Sequence, residues 1–198
     1  RDPEVTRQLL ADHTARMQAR LDEVTRIVAE LHDTATHPEA NTPVHLRDQA
    51  GTTTLRVRGH VNEATFAKFL DQAYGDLDRM TARLGVAPSG PPGALYGAEI
   101  ADDLDEPVEA FLPLAEPVDL PADPGSVELG SVPAARVAVA THAGPYDTLS
   151  ETYRRVGAWV ASHAETADER VREIYVVSFG QTPDPTRFRT EIHWPVRA

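Results

Sequence analysis

The chain repeats itself, and the repeat limits what it can fold into. VEAFLPL at 108–114 and TEIHWPV at 190–196 align at an offset of 82 residues, setting Glu109 against Glu191 and Pro113 against Pro195. His60 and His142 share that offset, each where a strand-like run meets a helix-like run. Tyr96 and Tyr175 align at 79, the difference being loop length. A match at nearly fixed offset across several elements is the mark of an internal duplication. Each copy reads as strand, helix, strand, strand. In the first copy TTTLRVRG precedes a helix with Phe66, Phe69, Leu70, Ala73, Leu77, Met80 and Leu84 on one face, closed by Gly85; GALYGAEI and PVEAFLPLA follow as strands. In the second copy AARVAVATH precedes a helix with Leu149, Tyr153, Val156 and Val160 on one face; REIYVVSFG and FRTEIHWPV follow. Two such units predict an α+β fold: one sheet, two helices on one face, and a pseudo-twofold axis between the halves. The halves span about 52–115 and 134–197, with AEPVDLPADPGS (115–126) between them.

Ahead of the duplication, Leu10, Thr14, Met17, Leu21, Val24, Val28 and Leu31 are spaced 4, 3, 4, 3, 4, 3. A seam this narrow is a heptad pattern, and it predicts a long coiled-coil helix over 1–34 that makes a homodimer through residues 3–33. Asp2 suits the cap, Pro3 the first helical position and Glu4 the positive end of the dipole. Residues 35–51, broken by Pro38 and Pro43, read as a linker, and 52–198 as the globular part.

Composition removes several functional classes. With no cysteine there is no disulfide framework, thiolate metal site or cysteine nucleophile. The net charge is −12, and Lys68 is the single lysine among 19 basic residues. Such a chain repels a phosphate backbone and favours cationic ligands. No apolar run approaches the roughly 20 residues of a membrane span, and nothing resembles a signal peptide, so no membrane partner and a cytoplasmic location are expected. Eight scattered histidines lack ligand spacing, GPPG and GVAPSG lack a phosphate loop's lysine, and Ser150 and Ser178 lack a nucleophile motif. No metal, cofactor or catalytic residue is predicted.

HAGPYDTLSETY (142–153), Trp159, REIYV (172–176) and TEIHWPV (190–196) together resemble the GyrI-like effector-binding domain found at the C-terminus of many MerR-type and AraC-type bacterial regulators. The helix over 3–33 resembles the linker helix that pairs MerR-type subunits. The resemblance implies a duplicated β-α-β-β unit of the SHS2 type with an antiparallel sheet. It implies a sensor of small aromatic or cationic molecules, acting on DNA and RNA polymerase through a winged helix-turn-helix that this chain lacks. It places the ligand in a cleft between the halves and the family's buried acid at Glu173. Tyr96, Tyr146, Tyr175, Phe111 and Trp194 are candidate aromatic walls, Trp194 being assigned to the core by its alternation. Strand alternation sets Glu173 with Tyr175 and Glu191 with His193. The expected ligand-binding set is Glu173, Tyr175, Tyr146, His193, Glu191, Tyr96 and Phe111. His142 is expected to bond the backbone at its corner, with Gly144 and Pro145 shaping the turn. A small-molecule hydrolase using Glu173 and Tyr175 is the alternative.

Overall fold

The computed structural model describes residues 43–96 and 106–197. The expected dimerisation helix and most of the expected linker lie outside the described residues. The described part holds eight strands: β1 (His45–Gln49), β2 (Thr52–Val61), β3 (Gly93–Tyr96), β4 (Glu106–Leu114), β5 (Val127–Val132), β6 (Ala135–Ala143), β7 (Val171–Val177) and β8 (Arg189–Val196). Two long helices are α1 (Glu63–Leu84) and α2 (Leu149–His163). All pairings are antiparallel, in the order β1-β6-β8-β7-β3-β4-β2-β5.

The duplication is visible in that order. β2-β4-β3 and β6-β8-β7 are copies, and they join through β3 and β7. Tyr96 pairs with Val108 and Tyr175 with Thr190, so the two tyrosines are equivalent as the sequence predicts. The two histidines are not. His142 pairs with Thr190, and the matching partner of Val108 on β2 is Gly59, one residue short of His60. A one-residue slip reverses the face of a strand; His60 is accordingly exposed while His142 is buried.

Two strands were not expected. β1 occupies the end of the predicted linker and β5 lies between the halves. Each runs almost directly into the next strand, and one register continues from His45↔Val139 to Val57↔Val127. A single ladder thus spans from the outer edge of one half to the outer edge of the other, and the sheet curls.

Both helices cover the same face. α1 begins at Asn62, whose side-chain oxygen accepts from the Thr65 amide while Thr65 reaches back to the Asn62 amide, a reciprocal cap. It ends at Gly85, where φ of 65° favours a residue without a Cβ. Ala73, Leu77 and Met80 pack on Leu55, Val57, Ala110, Leu112 and Leu114. Burying a side chain such as Leu77 contributes about 1.5–3 kcal/mol. α2 sets Leu149, Val156 and Val160 on Ala138, Ala140, Ile192 and Val196. The far face has its own small core of Leu95, Phe111 and Val132 with Ile174 against them.

Candidate functional site

The pseudo-twofold axis passes between β3 and β7, where Ala94 lies opposite Glu173. These two residues are also each other's counterparts in the duplication, since Ala94 precedes Tyr96 as Glu173 precedes Tyr175. The axis therefore carries one carboxylate, not two, and alanine leaves it room. Gly93, next to it, is required by contact: a Cβ there would stand 2.6 Å from the Glu173 carbonyl oxygen and 2.5 Å from the Phe111 ring.

Glu173 is buried, with 6% of its surface exposed. Three phenols converge on it. Tyr153 of α2 donates to Oε1 at 2.7 Å, and Tyr175 donates to Oε2 at 2.8 Å. The Tyr96 hydroxyl lies 3.2 Å from Oε2 and 2.5 Å from the Tyr175 hydroxyl, so one proton faces two acceptors. Among the described residues no basic side chain pairs with this carboxylate. Burial pushes its pKa above the usual carboxylate value, and the three tyrosine hydrogen bonds pull it back only in part. The tyrosines shift as well. Burial first and the Glu173 charge second push Tyr146 up to about 12, and Tyr74, Tyr96, Tyr153 and Tyr175 well above the ordinary phenol value. They remain proton donors at any ordinary pH.

A cavity of about 700 Å³ opens over this group. Phe66, Leu70 and Tyr74 of α1 form one wall, Tyr146 and Leu149 another, and Glu173 and Tyr175 part of the floor. Leu112 of β4 and the segment Ser178–Gln181 add to the lining, with Phe179 largely exposed. The rings meet in order: Tyr74 and Tyr146 each stand edge-on to Tyr175 at 6.2 and 5.9 Å, and Tyr146 lies 5.1 Å from Phe188. The Tyr74 hydroxyl donates to the Gly93 carbonyl at 2.7 Å, which fixes its ring as wall.

The corner at 142–146 places Tyr146. The buried His142 ring sits with Nδ1 3.0 Å from the Thr152 hydroxyl and Nε2 3.0 Å from the Pro145 carbonyl. With Nε2 as donor and Nδ1 as acceptor both contacts are satisfied. Gly144 turns the chain at φ of 127°, and its amide donates to the Phe188 carbonyl. Strand, turn and helix are thereby tied together, and Tyr146 opens a 3₁₀ turn (Tyr146–Thr148) directly above Tyr175.

Of the expected site residues, Glu173, Tyr175, Tyr146 and Tyr96 come together, Tyr96 acting through its bonds to Glu173 and Tyr175. Glu191, His193 and Phe111 do not. Directly opposed residues of neighbouring strands share a face. Glu173 opposes Ile192, whereas Ile174 opposes Glu191 and Arg172 opposes His193. The expected pair therefore lies on the far face of the sheet. There His193 Nε2 lies 2.8 Å from Glu191 and 2.6 Å from Arg47, and Glu191 is held down to about 2, by His193 first. Phe111 is equally on the far side, packed with Leu95, Val132 and Ile174. Two residues of the site lie outside the expected set: Tyr153, which the sequence places on the apolar face of its helix, and Tyr74, for which the sequence carries no expectation. The signal that could have found them is numerical: the chain has five tyrosines, and all five surround Glu173.

The sequence profile described as the GyrI-like small molecule binding domain matches residues 49–197. No curated protein matches the chain significantly. Among solved structures, the chain is similar to EcmrR in the cryo-EM structure of the EcmrR–DNA complex in EcmrR-RPo, at 18% identity and a TM-score of 0.68, over 99% of this chain and 72% of that one. It is similar to SAV2435 bound to tetraphenylphosphonium, at 16% identity and a TM-score of 0.58, over 79% and 94%. It is also similar to a hydrolase from Listeria innocua, at 12% identity and a TM-score of 0.56, over 83% and 98%. At these identities the likeness is one of fold.

Proposed function

The chain belongs to the GyrI-like family of small molecule binding domains, and on that premise we propose that it binds a lipophilic cation against Glu173. One observation carries the reading: a buried carboxylate without a basic partner lies in the floor of an aromatic cavity. A buried charge is costly unless something meets it. The hydroxyls relieve part of that cost, and a positive group among the rings would relieve more through the carboxylate and the ring faces. SAV2435, similar in fold, is bound to such a cation.

The wider role follows from the same premise. The domain would serve as the sensing part of a MerR-type bacterial transcription regulator, reaching DNA and RNA polymerase through a part outside these residues. Support comes from the fold likeness to EcmrR, whose structure includes DNA, and from the heptad seam of residues 3–33, which would pair two chains. Among the described residues no helix is long and apolar enough to cross a membrane.

The hydrolase reading has less support. A carboxylate has about four lone-pair sites, and tyrosine hydroxyls already approach three of them. Glu173 is thus equipped to hold a charge more than to take a proton from water. Phenolic donors held at a cavity wall are the feature that keeps hydrolysis in view, together with the fold likeness to the Listeria innocua hydrolase.

Glu173→Gln keeps the shape and removes the charge. It is expected to weaken tetraphenylphosphonium, which donates no hydrogen bond, by the lost Coulomb attraction, about 2 kcal/mol for charges about 8 Å apart at an effective dielectric constant of about 20, or roughly thirtyfold, and a neutral aromatic of similar size much less. Calorimetric titration of both proteins checks this; equal affinities for the cation would overturn the reading.

A further inference from the structure

The cavity carries more negative charge than Glu173 alone accounts for. Asp71 and Asp78 line it from α1, and among the described residues no lysine, arginine or histidine lines it. On an α-helix positions 71, 74 and 78 fall on one stripe, at the three- and four-residue spacing that brings side chains onto a common face. Tyr74, between them, is fixed as wall by its bond to the Gly93 carbonyl and its edge contact with Tyr175. Both aspartates are exposed, so they belong to the rim, while Glu173 lies buried in the floor. Among the described residues neither pairs with a basic side chain, although Asp76 on the same helix holds Arg79.

An acidic pair on a helix surface is by itself an ordinary solvated face. Here it belongs to one wall of a cavity whose floor holds a buried carboxylate, and the walls between are rings and aliphatic side chains. The lining thus runs acid, aromatic, acid from depth to mouth. Asp71 and Asp78 are about 10 Å apart along the helix at 1.5 Å per residue, wide enough to flank a flat cationic group without crowding it. The volume of about 700 Å³ is that of a drug-sized ligand.

Resting on the reading that Glu173 holds a cation, we propose that the cavity selects elongated dications, one positive end on Glu173 and the other between Asp71 and Asp78 at the mouth. The spacer of such a molecule lies along Tyr74 and Tyr146. A compact monocation uses the floor alone and gains nothing specific from the rim.

The probes are pentamidine, a bis-benzamidine with a five-carbon spacer, and its single-ended analogue 4-pentyloxybenzamidine, titrated calorimetrically against the full chain. Wild type is expected to prefer the bis-amidine about fivefold, since two exposed ion pairs contribute about 0.5 kcal/mol each. The double variant Asp71→Asn/Asp78→Asn is expected to lose that preference and keep its affinity for the single-ended probe. Both positions are exposed, so the fold should survive. High salt should erode the preference in wild type and leave the variant unchanged. A preference that survives the double substitution, or that wild type never shows, overturns the proposal. Glu173→Gln separates the two readings: it should weaken both probes, and if it weakens neither, the reading of Glu173 falls and takes this one with it.

Discussion

At the scale of a single residue, Glu173 makes binding and stability respond to pH in opposite directions. Its folded-state pKa lies above the unfolded value, with burial as the main cause. The contribution of such a group to stability is fully present below the unfolded pKa and is lost as pH rises through the folded one. The empty protein should therefore lose stability relative to Glu173→Gln as pH climbs from the usual carboxylate value through the raised one. A bound cation reverses the preference, because it favours the carboxylate. Affinity for tetraphenylphosphonium should rise over the same pH window and then level off, while the glutamine variant stays flat. The five tyrosines, all raised, do not titrate there, and Asp71 and Asp78 are present in both proteins, so the difference isolates Glu173. Titrations in two buffers of unlike ionisation enthalpy would report a proton released on binding within that window. Identical pH profiles for the two proteins would contradict it.

At the scale of elements, the corner between β6 and α2 carries a testable asymmetry. His142 and His60 look equivalent in sequence, yet the register aligns His142 with Gly59. His142→Ala should cost about 1–3 kcal/mol, because the buried Thr152 hydroxyl loses its partner. His60→Ala, at an exposed position, should stay within about 0.5 kcal/mol. Urea unfolding of both variants measures the difference, and equal costs would restore the sequence pairing. This case also marks how far the sequence could be read. The duplicated order, the two helices with their apolar faces, and the Tyr96–Tyr175 equivalence were all legible, because period and offset are local properties. β1 and β5 were not: HLRDQ and VELGSV have weak patterns, and they exist as continuations of β2 and β6, with β1 pairing to β6 and β5 to β2 in one register. The site divided along the same line. Alternation within one strand correctly grouped Glu191 with His193 and Glu173 with Tyr175, but which pair shares the helix side depends on register between strands. Tyr153 escaped because an apolar helix face reads as core even when the sheet beneath it holds a carboxylate, and Tyr74 because it is not among the residues that the pattern assigns to the apolar face of α1.

At the scale of the whole molecule, the chain divides into two units, residues 1–41 and 42–198. The second unit contains the helix-side cores, the far-face core and every residue assigned to the site. The first unit contains the heptad seam, whose apolar positions at a spacing of 4 and 3 are those that pair helices. Dimerisation and ligand binding should therefore separate. A chain lacking residues 3–33 is expected to be monomeric in light scattering at concentrations where the full chain is dimeric. It should keep its far-ultraviolet circular dichroism per residue for the sheet and the two helices. Its affinity for tetraphenylphosphonium should stay within about twofold of the full chain, since every described residue that lines the cavity is kept. Substituting Met17, Leu21 and Val24 with polar residues in the full chain tests the same seam without truncation and should also give monomers. A truncated chain that remains dimeric would move the dimer contact into residues 42–198; a monomer that no longer binds would show that the cavity needs the first unit after all.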